Sequence, residues 1–389
     1  ALAGVAPSEA EALWVLDGED VELLPLLQAA YVPRREYFGR TDDASRRVTR
    51  TVDFGGFSKT VVIERNADRR VTAWRGPDGN EIEFDYDARE RLRSMTLPGE
   101  GAVTFDRYTI NALNEVSLPG GSRMSYEFSP FAIAGQTVRD PANNLLVEER
   151  YTTDRENRIT GISNRTELAS FNYDPVGYLT SMQSSLHPDQ TYAYDATGNR
   201  LSGPVGGENY QFNELNQMTN SAAGSYRYDD KGYLLERVLG GVTNRFRWDA
   251  AGRLVAVLDG AGSTNVTYAY DADNRRIMKD VGGVRTFFLH GRYGLAGEYD
   301  GAGNEIRSYA YRPTGSIGAS PVYLKQGTNY FYYLNDHLGA PKKLIGKNGA
   351  VVWSASIDPF GAATVDPASS VVNPLRISSQ YHDDETGLH

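Results

Sequence analysis

The residues of this chain that could do chemistry are few and scattered. Asp358 and Asp366, each followed by a proline, are two carboxylates near enough in sequence to share a proton in acid–base work. Asp336 beside His337, and His382 beside Asp383, pair an imidazole with a carboxylate, as in a proton shuttle or a metal site. The five histidines are dispersed and cysteine is absent, so no ligand spacing is present and thiolate chemistry is excluded. Asp271-Ala272-Asp273-Asn274 resembles a fragment of a calcium loop but lacks the closing glutamate, and reads as a turn. Gly260-Ala261-Gly262 and Gly301-Ala302-Gly303 are too short for a dinucleotide loop, and no Gly-x-Ser-x-Gly elbow occurs. No cofactor is expected. Tyrosine and tryptophan at i and i+2 could stack on sugars, although packing between hairpins explains them first.

These residues sit in a repeat. Its copies are Tyr173-Asp174 with Gly177, Tyr194-Asp195 with Gly198, Tyr228-Asp229 with Gly232, and Trp248-Asp249 with Gly252; Tyr270-Asp271 carries Asn274 in place of glycine. Aromatics two apart, such as Tyr192 and Tyr194, share one face of a strand. The aspartate can accept a hydrogen bond from the backbone two residues on, and the glycine can take the left-handed conformation that ends a short hairpin loop. Asparagine is the next-best residue there. Leu179, Leu201, Leu234, Leu254 and Ile277 then restore the buried face of the returning strand.

Copies recur about every 16 to 22 residues, too short for a strand plus a crossover helix and right for one hairpin and its link. The expected fold is therefore all-β, a spiralling ribbon of antiparallel hairpins. About fourteen hairpins would extend on the order of 130 Å, longer than a twisted sheet sustains without curling, so the ribbon should coil. Weaker copies are expected at Phe84–Leu92, Tyr126–Pro130, Tyr151–Ile159 and Phe212–Asn216.

Composition agrees: 40 Gly, 25 Tyr and 40% apolar residues suit a turn-dense β chain with a core. A net charge of −10 argues against nucleic acid as a partner, and no apolar run is long enough to span a membrane. Residues 1–45 read differently. Ser8 followed by Glu11 looks like a helix start, and Pro25 interrupts the next apolar piece, so a short, partly helical cap or connector is expected before an array over 46–329 and a distinct segment over 330–389.

That last segment carries Asp336-His337-Leu338-Gly339-Ala340-Pro341, then Trp353 with Asp358-Pro359-Phe360-Gly361, then Asn373-Pro374-Leu375-Arg376, and ends on Asp383 through Gly387 to His389. The Tyr-Asp units resemble the YD repeats of the RHS family, and these four ordered motifs resemble its RHS-associated core. Together they cover roughly Val52 to His389. The resemblance implies a β-ribbon that spirals into a shell, as in polymorphic bacterial toxins, the C component of insecticidal toxin complexes and teneurins. It further implies a non-catalytic role, wrapping or delivering a polypeptide cargo or a C-terminal segment, with self-association through strand edges, in a secreted or bacterial cell-surface protein. Cell-surface adhesion or carbohydrate binding is the alternative. Asp358 and Asp366 match the family's upstream turn motif and lie too close together for its self-cleavage pair. That motif is expected beyond His389, which predicts an open shell and no peptidase activity here.

Overall fold

The computed structural model describes residues 36–40, 46–109, 112–129, 133–203, 209–313 and 321–389. Among these, thirty-one strands and two short 3-10 turns account for the regular structure, and there is no α-helix. The helix start expected near Ser8 lies outside the described residues. Within the first 45, Glu36–Arg40 is a strand paired antiparallel with Arg47–Asp53.

Within each of two sheets, every strand pairs with the next one along the chain. A 15-stranded ladder runs from Glu36–Arg40 to Gln190–Thr191 and a 16-stranded ladder from Gln211–Phe212 to Ala363–Val365, with no crossover in either. Strand identity follows the alternation of side chains. In Glu81–Tyr86, Ile82 and Phe84 are buried while Glu81, Glu83 and Asp85 face solvent. Leu295–Tyr299 is buried at every position, which requires both of its faces to be covered.

A register shift recurs just before the turn aspartate, at Asp85/Tyr86, Asn172/Tyr173, Arg227/Tyr228, Arg247/Trp248 and Ala269/Tyr270. The extra residue is a β-bulge, so the period of the repeat is built from a bulge plus a five-residue loop. The most regular copy in sequence, around Tyr194-Asp195, departs from the expected strand–turn–strand. Its turn forms, but only an isolated bridge joins Tyr194 to Arg200, and the first ladder has already ended at Thr191. Gly203-Pro204-Val205-Gly206-Gly207 follows in the sequence, where proline removes a ladder donor and glycine weakens pairing.

By contacts the chain divides into Tyr192–Phe288 and, separately, Arg35–Thr191 with Leu289–His389. This grouping differs from boundaries drawn by motif at 45/46 and 329/330. In the first unit Phe246, Val257, Tyr268, Met278 and Phe287 are buried. In the second, residues of the first ladder (Phe84, Leu92, Met95, Val103, Phe105) and of the second (Tyr323, Tyr332, Leu334, Ile345) form one apolar cluster. Each large side chain buried there contributes roughly 1.5–3 kcal/mol, so this cluster holds the two stretches of the second unit together.

Candidate functional site

The repeat turn is built from its aspartate outward. Asp249 Oδ1 accepts the backbone N–H groups of Ala251 at 3.0 Å and Arg253 at 2.9 Å, and Asp271 Oδ1 those of Asp273 and Arg275, both at 2.8 Å. Asp174, Asp195 and Asp229 do the same. The residue three on is left-handed, with φ of 105° at Gly177, 88° at Gly198, 89° at Gly232, 75° at Gly252 and 60° at Asn274. Weaker copies keep the geometry with other residues. Glu90, Asn157 and Asn216 hold positive φ, and Asn213 accepts from Leu215 and Gln217 where aspartate would stand.

Successive turns are also tied to one another. The residue four after the aspartate is often arginine, and its Nε donates back to the carboxylate at 2.7 Å in Arg158–Asp154, Arg253–Asp249 and Arg275–Asp271. The same bond from Arg91 pulls the Asp87 carboxyl down to about 2. This side chain covers the next aromatic: the Arg158 guanidinium lies 4.9 Å from the Tyr173 ring centre and that of Arg253 5.5 Å from Tyr270, while Tyr233 stacks on Trp248 at 5.2 Å. The aromatic in turn donates to the carbonyl of the residue that opens the preceding returning strand. Tyr86 OH reaches Val71 O at 2.8 Å, Tyr173 OH reaches Ile159 O at 2.7 Å, Trp248 Nε1 reaches Leu234 O at 2.8 Å, and Tyr270 OH reaches Leu254 O at 2.8 Å.

In the terminal segment, Asp336 and Asp358 repeat the turn. Asp336 accepts from Leu338 and Ala340 with Gly339 at φ 78°, before Pro341 opens the next strand, while Leu338 stays exposed. Asp358 accepts from Phe360 and Ala362 around Pro359, with Gly361 at φ 91°. Asp366 takes the N–H of Ala368 and the Ser354 hydroxyl, so both candidate acids are engaged in turns of their own. Trp353 is buried, and the Arg376 guanidinium lies 5.9 Å from its ring centre while donating to the carbonyls of Asn373 and Leu375. Asn373 Oδ1 accepts from Tyr333 OH at 2.8 Å, and Pro374 O accepts the N–H of His382. Gly387, at φ 66°, donates to Asp383 O. Among the described residues no three His, Asp or Glu side chains converge to hold a metal.

Two buried carboxylates, Glu298 and Glu149, and the part-buried Glu305 are paired in this unit. Glu298, fully buried, meets Arg307 at 2.9 Å and accepts from Tyr309 and Tyr381. Glu149 takes bonds from Lys342, Tyr151 and Gln136; burial raises its carboxyl, but Lys342 and these donors outweigh that and hold it low. Glu305 meets Lys325 and Asn80. His337 packs on the Tyr151 ring at 4.9 Å, and burial lowers its basicity.

The family model for the Teneurin YD-shell matches residues 144–389, more than half of the chain. The chain belongs to the YD-shell family. Among relatives of this YD-shell chain, the tRNA3(Ser)-specific nuclease WapA of Bacillus spizizenii is 31% identical over 227 residues, spanning 55% of this chain and 9% of that protein. Toxin protein Tse5 of Pseudomonas aeruginosa is 27% identical over 308 residues, spanning 61% of this chain and 23% of Tse5. The chain therefore covers under a quarter of the length of either relative. The solved structure of TcdB2-TccC3-Cdc42 superposes with a TM-score of 0.64 at 15% identity, over 88% of this chain and 21% of that one, which shows a shared fold.

In YD-shell terms, the sequence singled out the turn residues and the structure assigns them their bonds. It missed the arginine after the turn, although the spacing of Arg91, Arg158, Arg253 and Arg275 four after an aspartate was visible. It also missed Glu298, whose signal was a lone charge in Leu295-Ala296-Gly297-Glu298-Tyr299. Glu149 and Lys342 meet across 193 residues, and no local pattern announces that.

Proposed function

We propose that this chain forms part of the wall of a YD shell that encloses and protects a polypeptide cargo, and that it is not itself catalytic. The observation that carries the reading is the chain-order ladder in which turn aromatics, at Tyr86, Tyr173, Trp248 and Tyr270, are bonded to the strand before, a construction suited to a continuous wall. The names of the relatives add support. Nuclease and toxin are said of proteins in which the matched region is a small fraction, consistent with effector chemistry housed elsewhere and a shell built here. On this reading residues 330–389 brace the wall, the Tyr-Asp-x-x-Gly residues and core motifs are structural, and the protein acts outside the cytoplasm.

The test is protease protection. The natural gene product containing this region is digested under native conditions and again after urea treatment. A segment outside the ladder that survives the first digestion and not the second supports enclosure. Equal rates of loss in both would sink it, and retention on a glycan array would favour the adhesion alternative.

A further inference from the structure

The unit made of Arg35–Thr191 and Leu289–His389 contains a cavity of about 610 Å³, within the roughly 300–1,000 Å³ typical of ligand pockets. Its wall is mixed: Phe105, Val116, Met124 and Tyr126 give it an apolar stretch, to which the half-exposed Phe128 also belongs, beside charged and polar groups. The charged groups that line it are mostly engaged. Glu90 pairs with Arg70, Arg91 with Asp87, and Asp336 accepts two turn N–H groups. Arg312 differs: among the described residues it has no carboxylate partner, and its charge is felt by the Tyr126 hydroxyl. Asn335 Oδ1 and His337 Nδ1, two further lining residues, are shut off from solvent without a hydrogen-bond partner.

We propose that this cavity is a docking pocket for an extended polypeptide segment that presents a bulky apolar side chain next to an acidic residue. The apolar side chains of the wall take the bulky group, and Arg312 takes the carboxylate. The proposal rests on the shell reading and deepens it, by naming how a cargo chain is held and which sequence features are held.

The experiment uses the whole 389-residue chain and three labelled peptides: acetyl-Gly-Phe-Asp-Gly-amide, the same peptide with serine for phenylalanine, and the same with asparagine for aspartate. Fluorescence anisotropy should show the Phe-Asp peptide binding about tenfold or more tightly than either control, the effect expected of one charge-assisted bond or one filled apolar pocket. Arg312→Gln should erase the preference for aspartate and keep that for phenylalanine. Leu113→Trp, from a partly buried residue on the wall, should weaken all binding of the Phe-Asp peptide, with circular dichroism reporting that the fold is kept. Equal affinity for the three peptides, or binding unchanged in both variants, overturns the proposal. So does direct binding of dodecanoate, seen by calorimetry, with no measurable peptide binding, which would assign the pocket to a small amphiphile. None of these outcomes alters protease protection in the natural gene product, so the two readings fail separately.

Discussion

In the turn at Asp249 every polar partner of the carboxylate lies within four residues, whereas in the terminal segment Tyr333 reaches Asn373 and Tyr381 reaches Glu298, 83 residues away. The first arrangement is local, partly exposed and repeated. The second is long-range, buried and single. A repeated local device tolerates replacement, as Asn213, Glu90 and Asn274 show, because neighbouring turns supply the same bonds. A buried network has no such reserve, since every group that loses its partner is left without water.

The contrast can be broken most sharply at Glu298. Replacing it with alanine leaves Arg307 buried without its carboxylate and takes the acceptor from the Tyr309 hydroxyl, and should cost about 3–5 kcal/mol in urea unfolding. A loss below about 1 kcal/mol would mean the network carries no more than a surface turn. Gly252→Val comes next. Valine there is forced to positive φ, costing about 1–3 kcal/mol, and its Cβ would stand 2.2 Å from the Tyr233 hydroxyl, adding about 1–3 more from overpacking. Gly262→Val, at φ 92° but in open space, should show the first cost alone, and equal melting losses for the pair would refute the close approach.

Trp248→Phe and Tyr270→Phe each remove one bond between turns, and should cost about 0.5–1.5 kcal/mol. No change in hydrogen exchange at the preceding turn would show that those bonds do not couple the repeats. A pH titration sharpens the comparison further. His337 is less basic when folded because burial disfavours its charge, so the unfolded chain takes up a proton near pH ~6.5 and the folded chain only below that. Stability should therefore fall as pH drops from ~6.5, and His337→Gln should flatten that decline. Asp336, raised by burial, has the opposite sign: its contribution grows as pH falls through its raised value toward ~3.9. An unchanged slope in the histidine variant would assign the acid sensitivity elsewhere. The smallest effect is expected at the exposed pair Arg93–Asp85, where Arg93→Gln should change stability by less than about 1 kcal/mol.

The turn geometry was readable because its causes are local. An aspartate that accepts from its own loop and a residue that tolerates positive φ leave their mark within five positions, so Gly198 and Asn274 were placed correctly from sequence. Strand pairing after the turn was less so. Tyr194-Asp195 has the turn with only an isolated bridge beside it, and the turn motif alone does not specify how far its flanking residues pair. The bonds that Tyr381 and Lys342 make to Glu298 and Glu149 were out of reach, because they arrive from 83 and 193 residues away. Asp358 and Asp366 read as turn residues for the same local reasons, and each accepts a backbone N–H from two residues on.

The bond from each aromatic to the strand before it has a direction. Its acceptor lies 14 to 16 residues upstream of its donor, in Ile159 and Tyr173, Leu234 and Trp248, Val71 and Tyr86, Leu254 and Tyr270. A chain leaving the ribosome therefore presents each carbonyl first and meets its donor little more than a dozen residues later. The wall can zip in the order of synthesis, each new hairpin fastening the last, with contacts short enough to form while translation continues. A nascent ladder of this kind exposes one unfinished edge at a time, and that edge is occupied by the next segment of its own chain before a neighbour on the same message can reach it.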